Sequence, residues 1–140
     1  MTRPKSIFLS IGASLLALGV ACRAFGAHFL GQYLSTISMQ SWTTASFYQI
    51  IHGLGLLFIG ILLAMKKSPL NRALSTSGWL LTAGTVIFSG SLYLLALTDY
   101  KILGAVTPIG GGCFILGWFW IAIATWKNPY REENYRHGQE

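Results

Sequence analysis

His52 is the only basic side chain in a run from 38 to 65 that contains no Lys, Arg, Asp or Glu. A neutral imidazole inside such a run can serve as a proton relay or as a hydrogen-bonding site for a small ligand. Tyr48 lies one turn earlier on the same helical face, and Gln49 follows it. Counting ~1.5 Å per residue from Met65 places His52 about 20 Å up the segment. Ser89, Ser91, Thr107 and Gly110, on two later runs, should reach a similar height. The expectation is therefore one polar spot made of His52, Tyr48, Gln49, Ser89, Ser91 and Thr107. Its bland counterpart is a histidine bonded to a neighbouring hydroxyl, tying helices together, and this is the default reading.

A second set, Arg23, His28 and Asp99, falls at the opposite ends of two runs. Arg23 can extend its guanidinium to the interface at small cost, or it can pair with Asp99, the only acidic residue before the tail. A quinone or lipid headgroup near Arg23 and His28 is a third possibility. Haem held between His28 and His52 fits poorly, since the two lie at different depths. No nucleophile, base and orienting group line up, and no Cys or His cluster has metal-ligand spacing. The chain is accordingly read as non-enzymatic, without metal or cofactor.

The elements that carry these residues are apolar runs long enough to cross ~30 Å of hydrocarbon. They cover about 6–27, 39–65, 74–97 and 102–126, forming one domain over 1–127, with a mobile polar tail at 128–140. The first run follows Arg3 and Lys5 like a signal peptide, but its length favours a retained span. Between the first two runs, Phe29, Leu30, Tyr33, Leu34 and Ile37 recur at helical spacing. They predict a short interfacial helix between those runs, with Ser38 capping the second span and Trp42 and Trp79 in the aromatic belts. The fourth run should start near Ile102 and distort at Pro108.

Composition agrees, with 53% hydrophobic and 10% charged residues in 140 and a mean hydropathy of +0.54. The net charge of +6 does not indicate nucleic acid, because the basic residues are dispersed at helix ends. Arg3, Lys5, Lys66, Lys67, Arg72, Lys127, Arg131 and Arg136 fall on one side, against Arg23 and Lys101 on the other. Both termini are thus expected in the cytoplasm. Small residues repeat every seventh position, as a left-handed bundle requires. They include Gly12, Gly19 and Gly26, then Gly53 and Gly60, then Gly84, then Gly110 and Gly117. The fold class is an all-α integral membrane protein with four spans in a compact antiparallel bundle.

Several separated segments also resemble a known family. They are Ala24 to His28, Tyr48 to Leu54, Gly78 to Leu80, Phe88 to Tyr93 and Thr107 to Gly111. In order and content they resemble the YgdD-like small membrane proteins, domain of unknown function family 423, which includes transmembrane protein 256 of animals. The resemblance runs from about Ile7 to Trp126 and implies a four-span membrane protein with no assigned activity. His28, His52, Ser89, Ser91, Tyr93, Thr107 and Pro108 match its motifs, whereas Arg23, Phe29 and Asp99 depart from them. The expected role is an accessory or assembly component of a complex in the bacterial cytoplasmic membrane, with the lipid bilayer and either a membrane protein or a second copy as partners. The alternative is a small carrier or channel that binds a proton, ion or solute around His52.

Overall fold

Four apolar runs, each free of internal charge over most of its length, fold into four helices because helical hydrogen bonding satisfies every backbone group without water. The computed structural model describes residues 4–65 and 69–128, with side chains from residue 7 onward. Helix α1 covers Pro4–His28, α2 Thr36–Ala64, α3 Asn71–Thr98 and α4 Ile102–Lys127. All four are long and apolar enough to cross a membrane. The side chains of Arg3 and Lys5, the loop with Lys66 and Lys67, and the tail beyond Asn128 lie outside the described residues.

Helices α2 and α3 form the central pair, with α1 packed on α2 and α4 on α3. Contacts rise along one helix as they fall along the next. Leu9 meets Gly60, Gly19 meets Ile50 and Gly26 meets Trp42; on the other side Gly117 meets Leu81 and Gly110 meets Phe88. Neighbouring helices are therefore antiparallel.

Glycines set how closely they approach. A Cβ on Gly12 would lie 2.8 Å from the Gly53 carbonyl oxygen, and one on Gly110 would lie 2.5 Å from the Phe88 backbone nitrogen. Gly19, Gly26, Gly53, Gly60, Gly84 and Gly117 likewise face another helix at close range. Two glycines outside the seven-residue stripes do the same, Gly55 against Trp118 and Gly78 against Phe8. Around these contacts Phe8, Leu56, Ile59, Leu81 and Phe114 form one apolar cluster. Leu30, Trp42 and Ala96 form another. The outward faces stay apolar, with Leu18, Phe58, Val86, Ile109 and Leu116 exposed. A surface of that kind suits lipid.

Three expectations need correction. The helical element between α1 and α2 is a single 3-10 turn, Leu30–Gln32, shorter than the expected interfacial helix, because α2 already begins at Thr36 and takes in Ile37. The cap of α2 is Ser35, whose Oγ accepts from the Ser38 backbone N–H at 3.1 Å. The N-terminal turn simply starts three residues earlier than Ser38 suggests. Trp42 is 6% exposed and donates its indole N–H to the Cys22 carbonyl at 2.8 Å. It is an internal tie between α1 and α2; Trp79, by contrast, is exposed.

Candidate functional site

The residues expected to form one polar spot are divided among different helix interfaces. Gln49 faces α1 and α3. Its Nε2 donates to the Leu15 carbonyl at 2.9 Å, and its Oε1 accepts from the Tyr93 hydroxyl at 2.9 Å. The Tyr93 ring meets Trp42 edge-on at 4.6 Å. Gln49, Tyr93 and Trp42 thus join three helices in a seam where each polar head has a partner.

Ser89 sits between α2 and α3 and donates to the Ala45 carbonyl at 2.9 Å. Ser91 and Thr107 pair across α3 and α4 at 2.8 Å, and each also reaches a carbonyl of its own helix, Phe88 at 3.0 Å and Leu103 at 3.1 Å. With one proton per hydroxyl, two of these three contacts are made at once. Nearer the other end Ser77 donates to the Gly117 carbonyl at 2.8 Å. Hydrogen bonds of this kind hold helices together where lipid supplies no hydrophobic drive.

His52 and Tyr48 face the other way, toward α4. The expected bond from His52 to a neighbouring hydroxyl is not made. Instead Nδ1 lies 2.8 Å from the Tyr48 carbonyl oxygen, one turn back on the same helix. A carbonyl only accepts, so Nδ1 carries the proton and Nε2 of the neutral ring is left as an acceptor. The imidazole lies flat on Phe114, with ring centres 3.5 Å apart and planes within 5°. Tyr48 in turn packs on Phe88 at 4.5 Å. These rings, with Trp118 and Phe119, line an open groove of about 410 Å³ at the α2, α3 and α4 boundary. Gly55 makes room for the Trp118 indole there.

The outer set does not assemble either. Arg23 is exposed and donates to the Thr43 carbonyl at 3.1 Å. Among the described residues no ion pair joins it to Asp99. The reason is topological, since α1 packs on α2 while Asp99 ends α3. His28 closes the last turn of α1 and is exposed.

Tyr93, Trp42, Phe88, Phe114 and Trp118 were not singled out as site residues. For Tyr93 the signal was present, because its hydroxyl falls inside an apolar run and needs a partner. For the groove rings there was none, since aromatic residues in an apolar span look alike whether they face lipid or a histidine.

Four antiparallel apolar helices, joined by buried polar ties and clad in exposed aliphatic and aromatic side chains, define a small multi-pass membrane protein. Residues 22–111 match the family described as "Protein of unknown function (DUF423)", and the chain belongs to that family. It is 50% identical over 121 residues to a UPF0382 membrane protein of Staphylococcus epidermidis, covering 86% of this chain and 96% of the relative. The UPF0382 membrane protein YwdK of Bacillus subtilis is 44% identical, with 86% and 97% covered. No solved structure matches.

Proposed function

We propose that the protein is a non-catalytic accessory or assembly component of a complex in the bacterial cytoplasmic membrane, with both termini in the cytoplasm. The observation that carries this reading is how the buried polar side chains are used. Gln49 with Tyr93, Ser91 with Thr107, Ser77 with Gly117 and Ser89 with Ala45 engage one another or backbone across helices. A solute path needs polar groups aligned along one route and free to exchange partners. Here they are divided among separate interfaces. A carrier centred on His52 retains one supporting observation, the uncommitted Nε2, but among the described residues the polar side chains do not line up into a path across the bundle through it.

The test is native mass spectrometry of the tagged chain in vesicles from its own membrane. The expected result is a stoichiometric complex with another membrane protein, whose abundance falls when this chain is deleted. A bare monomer or homo-oligomer, with no protein changing in abundance on deletion, overturns the reading. Orientation is checked separately: a green fluorescent protein fused after residue 140 should fluoresce, and a dark fusion would place the C-terminus outside.

A further inference from the structure

The groove beside His52 has properties that lipid packing alone does not require. The imidazole is 4% exposed, yet its Nε2 has no hydrogen-bond partner among the described residues. Asn71 Oδ1 is the only fully enclosed side-chain nitrogen or oxygen among them without a partner. His52 Nε2 is therefore not sealed, and the opening beside the ring is the groove. Its aromatic lining is continuous, since the stacked His52 and Phe114 rings lie 5.9 and 6.0 Å from Tyr48 between ring centres, and Phe88 lies 4.5 Å from Tyr48 and 5.5 Å from Phe114.

Position and charge narrow the occupant. His52 lies ~24 Å from Thr36 and ~18 Å from Ala64 along α2, close to the middle of the bilayer. Among the described residues the charged side chains are Arg23, Arg72, Asp99, Lys101 and Lys127, all within about two turns of a helix end. An ion or charged headgroup would find no counter-charge at the depth of His52. The buried polar atom is an acceptor, so an occupant that satisfies it brings a donor. The Tyr48 hydroxyl and the Trp118 indole N–H, on residues that also line the groove, can serve a second oxygen of the occupant. Aromatic walls favour a flat ring, and exposed Ile115 and Phe119 at the mouth favour a hydrocarbon tail leaving into lipid. About 410 Å³ lies within the range usual for small-molecule sites.

We propose that this groove binds a neutral membrane lipid of the hydroquinone type, a flat ring whose phenolic hydroxyl donates to His52 Nε2. The ring lies against the aromatic lining of the groove beside His52, and the tail leaves past Ile115. Binding of this lipid is independent of whether a protein partner exists.

The test places the full chain, labelled with ¹⁵N-histidine, in nanodiscs of phosphatidylethanolamine and phosphatidylglycerol without oxygen. The probes are decylubiquinol, its dimethyl ether and cholesterol. Decylubiquinol should shift the His52 Nε2 resonance saturably, and the ether, which has no donor, should bind about tenfold more weakly. His52→Phe keeps a flat ring on Phe114 but removes the acceptor, and in titrations of parent and variant followed by quenching of tryptophan fluorescence it should lose the same factor. Gly111→Leu should also abolish binding without touching the imidazole. A Cβ at Gly111 meets Phe88 at an ordinary 3.8 Å, so the longer side chain fills the groove without disturbing the helices. Equal binding of the ether, tighter binding of cholesterol, no saturable shift, or full binding by Gly111→Leu would each overturn the proposal.

Discussion

Gln49 and His52 are three residues apart on α2, and their polar heads have opposite surroundings. About 100° of rotation per residue separates their directions by roughly 60°, enough to aim one at α1 and α3 and the other at α4. On the first side Gln49, Tyr93 and Trp42 have their polar heads bonded at 2.8–2.9 Å. On the second, His52 has one ring nitrogen engaged with its own helix and the other open to a groove walled by rings. The seam commits its polarity to the fold, and the groove keeps one acceptor in reserve. A bundle built only for stability would have no reason to treat the two sides differently.

Adjacent glycines give the sharpest test of that contrast. A Cβ on Gly110 would sit 2.5 Å from the Phe88 backbone nitrogen, whereas one on Gly111, facing the groove, meets nothing nearer than 3.8 Å. Gly110→Ala must push α4 off α3 and should cost ~3 kcal/mol, at the upper end of overpacking penalties. Gly26→Ala, against Trp42 at 2.5 Å on the seam side, should cost about 1–3 kcal/mol because an indole pinned to Cys22 cannot swing away. Gly111→Ala should stay within about 0.5 kcal/mol of the parent. Unfolding in mixed micelles measures all three. A loss at Gly111 equal to that at Gly110 would mean that the groove is a packed interface.

Next in size is the seam's own hydrogen bonding. Gln49→Leu leaves the Tyr93 hydroxyl without its acceptor and should destabilise by about 1–2 kcal/mol. Tyr93→Phe should cost less, and the double variant should recover part of the loss, with a coupling near 0.6 kcal/mol and at most about 1.7. Strict additivity would show that the pair does not act as one tie. On the groove side, His52→Phe gives up one bond to a carbonyl of its own helix and keeps the stack on Phe114, so it should cost under ~1 kcal/mol. A loss as large as that of Gln49→Leu would make His52 a structural tie and erase the contrast.

The depth of each polar residue was legible in the sequence, because a helix rises by a constant step and the charged ends mark its limits. Direction was not. Gln49, His52, Ser89 and Ser91 lie at similar heights, but which neighbour each meets depends on how the helices are rotated against one another. The seven-residue glycine stripes carried part of that information and located the close approaches. They said nothing of Gly55 and Gly78, whose space is used by Trp118 and Phe8. Trp42 looked like a belt residue because its position near a span end is compatible with either role. Only the approach of α1, which brings the Cys22 carbonyl to its indole, separates the two.

The smallest effect expected concerns Asp99, whose charge invited a pairing with Arg23. Its backbone explains the position better. Asp99 closes α3 with φ at 53°, in the left-handed region where a Cβ is strained and glycine is favoured. Its amide N–H still donates to the Leu95 carbonyl at 2.9 Å, so it is the conformation rather than the carboxylate that ends the helix. Asp99→Gly should therefore be neutral or stabilising by up to ~1 kcal/mol, and Asp99→Val should destabilise, since a β-branched residue tolerates positive φ badly. Arg23→Gln should add independently to Asp99→Gly, because Arg23 is occupied by the Thr43 carbonyl. Destabilisation by Asp99→Gly that disappears when Arg23 is also neutralised would restore the ion pair. It would then tie α1 to α3 by charge, at the end of the bundle where the geometry instead runs through α2.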